Sequence, residues 1–186
     1  MGTRGLMAFT SGGELKGAYN HWDSYPSGLG AVIAKWLINT DLAEARTKFE
    51  ALEVVSEDAE PTPEQVVRLL QYANLNVSTQ SPGEWYVLLR ETQGDPQATL
   101  DSGFIFDSLD FAADSLFCEW GYVVDLDTGA LEVYKGFQTE PHTDGRFAGL
   151  ETEAGEKYGP IRLVRTFNLQ ELQESPDALS EFEGDE

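Results

Sequence analysis

The sequence predicts a single α+β domain, in which a helical segment separates an N-terminal hairpin from a C-terminal meander of a mostly antiparallel sheet. Two short apolar runs flank a Gly-Gly pair near the N-terminus, and helix-capping signals recur through the middle of the chain. Alternating apolar runs return in the last third. A chain of 186 residues that is 41% hydrophobic can bury one core of this kind.

The N-terminal hairpin is predicted from the runs GLMAFTS and ELKGAYNHW on either side of Gly12-Gly13. Glycine suits both positions of a two-residue turn because it adopts positive φ without steric cost. This turn fixes the cross-strand pairs Thr10–Leu15, Leu6–Tyr19 and Arg4–His21. Asp23 would then lie on the same face as His21, two residues further along the strand.

The middle of the chain is predicted to be helical because a capping residue precedes each apolar segment. Ser27 is expected to cap a largely buried helix from about Leu29 to Asn39, and Asp41 a second helix to about Leu52. Further helix starts are Thr62-Pro63-Glu64-Gln65, Ser81-Pro82-Gly83-Glu84 and Asp95-Pro96, the last closing near Gly103.

The last third is predicted to form strands. Runs at 116–125 and 131–137 flank the turn Asp127-Thr128-Gly129, and a final strand is expected at 161–167. Seven acids among the last sixteen residues, with little periodicity, indicate a frayed tail. We therefore expect a globular domain over 1–168 and an acidic tail over 169–186.

The charge balance is strongly acidic, with 33 acidic and 12 basic residues and a formal net charge of −21. Such a field repels nucleic acids and anionic membranes, so we expect neither as a direct partner. Three interpretations stay open: solubility in an acidic proteome, mimicry of nucleic acid, and cation binding. The spread of the acids along the chain favours the first.

The sequence predicts a cytoplasmic location. No apolar run approaches the roughly 20 residues that span a bilayer. The N-terminus lacks the apolar core of a signal peptide, and Leu6 stands where a myristoylation signal carries Ser or Thr. The single cysteine, Cys118, excludes an internal disulfide framework and is expected to be structural.

The stretch YNHWDSYPSGLG, residues 19–30, is the candidate site. The amides of Ser27 to Gly30 would face an anion at a helix N-terminus, and Arg4 would add a planar cation. His21 is the candidate general acid or base, and Asp23 would orient it. The candidate ligand-binding residues are Arg4, Asn20, Tyr25, Ser27, Gly28, Gly30 and Glu119.

Structural interpretations of the same residues remain open. Asn20 and Asp23 would cap turns, and His21 would be a half-buried residue with satisfied hydrogen bonds. Glu119 is either a buried partner for an arginine or an acid with a chemical role. Arg90 either pairs with a carboxylate or reaches the same pocket.

Metal, cofactor and nucleophile chemistry have weaker support. The pairs His21-x-Asp23 and His142-x-Asp144 could supply ligands, but their spacing does not require a metal, and we expect neither a metal nor a cofactor. Removal of Met1 would expose Gly2, which has no nucleophilic side chain, so an N-terminal nucleophile mechanism fails.

The segments MGTRG, YNHWDSYPSGLG, WYVLLRETQG and DSLFCEWGYVVDLDTGALEVYKGFQ resemble a family of uncharacterised small bacterial and phage proteins. The resemblance extends to about residue 167. It implies that the 19–30 motif is a family hallmark, and a phage setting implies interference with host defence, including sequestration of a nucleotide signal.

The function predicted from the sequence is action on a small anionic molecule, either a nucleotide or a phosphorylated metabolite. Hydrolysis is the expected reaction class, which would make the protein a hydrolase. The alternative is a binder without chemistry, such as a sponge for a nucleotide signal or an acidic inhibitor of a host protein. A second copy of the chain is a further candidate partner.

Overall fold

A mixed five-stranded sheet forms the centre of the protein, whose computed structural model describes residues 2–152 and 157–182. In chain order the strands are β1 (Gly5–Ser11), β2 (Glu14–Asn20), β3 (Glu53–Val55), β4 (Phe104–Phe106), β5 (Trp120–Asp125), β6 (Ala130–Lys135) and β7 (Arg162–Phe167). The large sheet has the order β2-β1-β5-β6-β7, and only the β1–β5 pairing within it is parallel. The predicted α+β class with a mostly antiparallel sheet is confirmed.

The N-terminal hairpin has the predicted register. Thr10 pairs with Leu15, and Leu6 pairs with Tyr19. The turn glycines have φ values of 59° and 84°, as a two-residue turn between twisted strands requires. The ladder ends at the Gly5–Asn20 pair, one step before Arg4 and His21.

Seven helices surround the sheet in the described part of the chain. They are α1 (Ala31–Asn39), α2 (Leu42–Glu50), α3 (Pro63–Leu69), α4 (Trp85–Leu88), α5 (Pro96–Ser102), α6 (Leu169–Glu174) and α7 (Ala178–Glu181). Several predicted caps are confirmed: Asp41 caps α2, Thr62 and Gln65 form a capping box on α3, and Asp95 caps α5. Gly103 ends α5 with a φ of 76°.

The sheet is buried on both faces. On one face, Phe9, Tyr122 and Val124 lie in a core with residues of α1, α2, α6 and α7. On the other face, Leu6 and Val123 pack with residues of the segments that flank β5 and β7. All seven residues of β1 are buried, because both faces of this inner strand are covered.

Strands β3 and β4 form a separate parallel pair that the sequence does not predict. Each has three residues, which is too short for a period-2 pattern to emerge. Phe104 and Val55 in these strands belong to a third apolar cluster with Trp85, Leu88 and Leu69.

The C-terminal segment differs from its prediction as a frayed tail. Asn168 caps α6 in a capping box, and Leu172 and Leu179 are fully buried in the main core. Helix α7 packs against residues 26–30. The prediction is wrong for 169–182 because a few apolar residues anchor these short helices although acids dominate the composition; residues 183–186 lie outside the described residues.

Within residues 2–152 and 157–182, no helix combines the length and the apolar character that crossing a membrane requires.

Candidate functional site

The candidate stretch 19–30 forms the junction between β2 and α1. Strand β2 ends at Asn20, and Asp23 adopts a φ of 51°, which reverses the chain. Pro26–Gly30 then forms a single π-turn that continues directly into α1. A strand, a reversal and a helix therefore meet within twelve residues, as the sequence predicts.

Buried Ser24 ties this junction to the centre of the sheet. Its amide donates to the Thr3 carbonyl at 3.1 Å, and its hydroxyl accepts from Asn20 Nδ2 at 2.8 Å. Its carbonyl accepts from the Tyr122 hydroxyl at 2.9 Å. The junction is thus attached to β5 as well as to β2.

Most of the predicted anion cradle of backbone amides is not available, which corrects the expectation for Gly28 and Gly30. The amides of Gly28 and Gly30 donate to the Tyr25 carbonyl, and the Leu29 amide donates to the Asp23 carbonyl at 2.8 Å. The π-turn therefore satisfies these donors internally. The expected Ser27 cap is also wrong, because Tyr25 precedes the turn and no side chain caps it.

Gly28 is required here for close packing instead. A Cβ at this position would collide with the Asp23 carbonyl oxygen. Gly30 is buried and faces the ring of Tyr122. Because neither glycine has a side chain, the π-turn can pack closely against Asp23 and Tyr122.

The imidazole of His21 has a different partner from the one predicted. Its Nδ1 lies 2.7 Å from the Tyr19 hydroxyl, and its ring packs edge-on against Trp22 with centroids 4.3 Å apart. Asp23 does not take the expected role, because its positive φ ends the extended backbone that would have placed it on the His21 face. Tyr19 in turn packs edge-on against Phe111.

The electrostatic surroundings of His21 are positive in a strongly acidic protein. Partial burial is the largest cause that lowers the pKa of His21, and the positive charges of Arg90 and Arg4 lower it further. Burial and the nearby Tyr86 raise the pKa of Tyr19. His21 is therefore a neutral imidazole at pH 7, held by a protonated phenol.

Arg4 and Arg90 form no ion pair with any carboxylate of the described residues. The Arg4 guanidinium lies over the Phe117 ring at 4.5 Å from its centroid. The Arg90 guanidinium lies 5.8 Å from the Tyr86 centroid. Glu119 contacts the main chain of Arg4 instead of its guanidinium: its Oε1 accepts from the Arg4 amide at 3.4 Å.

An open cleft of about 570 Å³ lies beside the junction. Four predicted residues line it: Asn20, Asp23, Ser27 and Gly28. Five others do not line it: Arg4, His21, Tyr25, Gly30 and Glu119. The structure also brings Arg90 to this cleft, one of the two roles expected for it.

Other polar and aromatic residues of the cleft were not predicted. They are Trp22, Asn74, Glu91 and Gln93. Trp22 is 56% exposed, although His21 packs against its ring. The other three lie in or beside irregular segments, where no periodic pattern marks them.

A second, smaller cavity of about 240 Å³ opens between β2 and the helical segment. Its lining residues are Ala18, Tyr19, Tyr86, Leu89, Thr92, Gln93, Phe106, Ser108 and Phe111. Gln93 lines both cavities. The two spaces therefore adjoin along one short segment of the chain.

The remaining candidates have structural contacts. His142 Nε2 lies 2.9 Å from the Pro160 carbonyl oxygen, and the Cys118 thiol contacts the Trp120 carbonyl at 3.6 Å. Burial raises the pKa of Cys118, which suits an unreactive thiol. Over the described ranges, no group of three or more His, Cys, Asp or Glu residues could hold a metal ion.

Comparison with known protein families, with curated proteins and with solved structures finds no match to this chain. The resemblance to small bacterial and phage proteins accordingly stays an expectation from the sequence motifs.

Proposed function

We propose that this protein binds a small anionic molecule, a nucleotide or a phosphorylated metabolite, at the β2–α1 junction. The observation that carries this proposal is Arg90, which lines the cleft, with Arg4 as a second cation whose charge also acts on His21. In a chain of 33 acids and 12 bases, both guanidinium groups lack a partner among the described carboxylates. A phosphate would supply the missing negative charge.

Arg90 is suited to hold such a group. Its side chain lines the cleft, donates to the Gln93 side-chain oxygen and lies over Tyr86, so its position is restrained before a ligand arrives. A guanidinium can bind a phosphate through two parallel hydrogen bonds. The cleft volume falls within the roughly 300–1,000 Å³ of small-molecule sites.

Binding without chemistry, as in a cytoplasmic sponge for a nucleotide signal, is the form of this proposal that the geometry favours. His21 does not line the cleft, although Asn20 and Trp22 on either side of it do.

The net negative charge supports the further alternative of an inhibitor of a host protein. Binding of such an inhibitor to its target would be insensitive to pocket substitutions and would be weakened by salt.

Hydrolysis is a second candidate, supported by the Tyr19–His21 pair. If Nδ1 donates to the Tyr19 oxygen, Nε2 of the neutral imidazole is free to accept a proton from water. His21 would then be the general base and Tyr19 the residue that orients it. If the protein is a hydrolase, His21→Ala would abolish turnover and keep ligand binding. If the protein is a sponge, denaturation would release the ligand chemically intact.

Arg90→Gln tests the binding proposal. Small molecules that copurify with the protein are identified by mass spectrometry, and their affinities for the variants are measured by calorimetry. We expect Arg90→Gln to weaken a phosphorylated ligand by about tenfold or more, because a charge-assisted hydrogen bond is lost. Arg162→Gln, which removes an exposed arginine paired with Asp144, is the matched control and should have little effect.

Two results would overturn the proposal. One is an unchanged affinity in Arg90→Gln, and the other is the absence of any copurifying or added phosphorylated ligand that binds the wild-type protein.

A further inference from the structure

We infer that the ligand of this site is a nucleotide rather than a phosphorylated metabolite that lacks a base, with its heterocyclic base in the smaller cavity and its phosphate at Arg90. This inference rests on the proposed function and narrows it to one substrate class. Its basis is the position of an apolar, aromatic-walled cavity directly beside the polar cleft that contains Arg90, which forms no ion pair with a carboxylate of residues 2–152 and 157–182.

The smaller cavity has the composition of a ring site. Four of its lining residues are aromatic: Tyr19, Tyr86, Phe106 and Phe111. The hydroxyl groups of Thr92 and Ser108 donate to the main-chain carbonyls of Leu89 and Phe106, so they are already hydrogen-bonded within the protein. An apolar face, rather than a charged group, therefore fits this space.

The cavity is also limited in size. Its volume of about 240 Å³ lies below the range of roughly 300–1,000 Å³ that encloses a whole drug-sized ligand. It can hold one part of a ligand, such as a ring system, while the rest extends outside. Base–aromatic contacts of this kind tolerate any planar heterocycle, because every base has a π-face.

One short segment joins the two spaces. Tyr86 in α4 lines the smaller cavity, and Arg90, four residues later and beyond the end of α4, lines the cleft. The Arg90 guanidinium lies 5.8 Å from the Tyr86 ring centroid, within the range of a cation–π interaction. Gln93 lines both spaces and bonds to Arg90, so its amide lies where a sugar would connect base and phosphate.

The negative charge of the protein strengthens this assignment. A phosphorylated metabolite without a base would rely on Arg90 alone in this cleft, while Asp23 and Glu91 line the same space. Burial of an apolar ring supplies affinity that does not depend on charge. A nucleotide combines both interactions in one molecule.

The test compares two probes that share a phosphorylated ribose, AMP and ribose 5-phosphate. Amide chemical shifts of the full-length protein are followed by NMR during titration with each probe. We expect AMP to bind about tenfold or more tightly than ribose 5-phosphate. Arg90→Gln should weaken both probes by a similar factor, since both place a phosphate at Arg90.

Two cavity variants locate the base. Ser108→Leu puts a larger side chain at the cavity wall, and Phe106→Ala removes an aromatic wall. Each should weaken AMP and leave ribose 5-phosphate unchanged, so that the preference falls below about threefold. Ser175→Leu places the same new side chain at an exposed position after α6 and should keep the full preference.

The outcomes separate this inference from the proposed function. If AMP and ribose 5-phosphate bind equally well to the wild-type protein, the inference is wrong and the anion site stands. If the preference for AMP persists in both cavity variants, the base lies elsewhere and the inference is also wrong. If neither probe binds, the proposed function itself fails.

Discussion

His21 is the residue whose chemistry depends most on its surroundings. A phenol restrains its Nδ1, and two guanidinium charges disfavour its protonated form. Arg90 and Arg4 act on it through space, so its protonation responds to any anion that neutralises them. The imidazole is therefore a reporter of the site as well as a candidate for its chemistry.

NMR titration of the His21 imidazole should give a pKa below the usual value of about 6.5, because burial and both arginines lower it. Arg90→Gln should raise this pKa by removing one of the two charges, and bound phosphate should raise it as well. Arg162→Gln should leave it unchanged. A pKa that does not respond to Arg90→Gln would contradict the electrostatic coupling.

The lowered pKa also sets the direction of the pH dependence of stability. As pH falls below about 6.5, His21 in the unfolded chain binds a proton before His21 in the folded protein does. Its contribution to the free energy of unfolding is therefore present above that pH and is lost as pH falls through the folded-state pKa. Urea denaturation of wild type and His21→Gln on both sides of this range measures the difference.

At the scale of single elements, local signals predict the hairpin and several helix starts. Gly12-Gly13 fixes the register of β1 and β2, because the conformational requirement lies within the turn itself. The caps at Asp41, Thr62 and Asp95 are predicted for the same reason.

Gly13→Ala tests the turn. We expect it to lower the free energy of unfolding by about 1–2 kcal/mol, because an L-residue is strained at a φ of 84° while no atom lies within 4 Å of the added Cβ. Gly149→Ala is the matched control, since its Cβ also meets nothing and no positive φ is required. Equal stability of the two variants in chemical denaturation would refute the conformational explanation.

Other features of the site are not marked by any sequence pattern. In the π-turn at 26–30, backbone amides donate to the carbonyls of Asp23 and Tyr25. A regular helix start would have left these amides without a backbone partner. Arg90 reaches the cleft because the helical segment packs beside the β2–α1 junction. No residue spacing in the sequence relates Arg90 to that junction.

At the scale of the whole molecule, the two C-terminal helices complete the core. Leu179 is fully buried, and its helix packs against residues 26–30 beside the candidate site. Composition predicts a solvated tail here, because the many acids outweigh the few leucines in any average. The burial of a few individual leucines decides instead that this segment packs against the core.

Leu179→Ala should destabilise the protein by about 2–5 kcal/mol, as expected for a large-to-small substitution in a packed core. Leu75→Ala removes the same atoms from a side chain that is 47% exposed and should cost far less. Urea denaturation of both variants makes the comparison. Similar midpoints would mean that the C-terminal helices do not belong to the cooperative core.

The parallel pairing of β1 with β5 has a consequence for biosynthesis. The β1–β2 hairpin can form once its own residues have left the ribosome. The other edge of β1 pairs with β5, which is synthesised about 115 residues later. At roughly 5–20 residues per second, that delay is on the order of ten seconds. During it the nascent chain carries an apolar strand with one open edge, a natural target for chaperones.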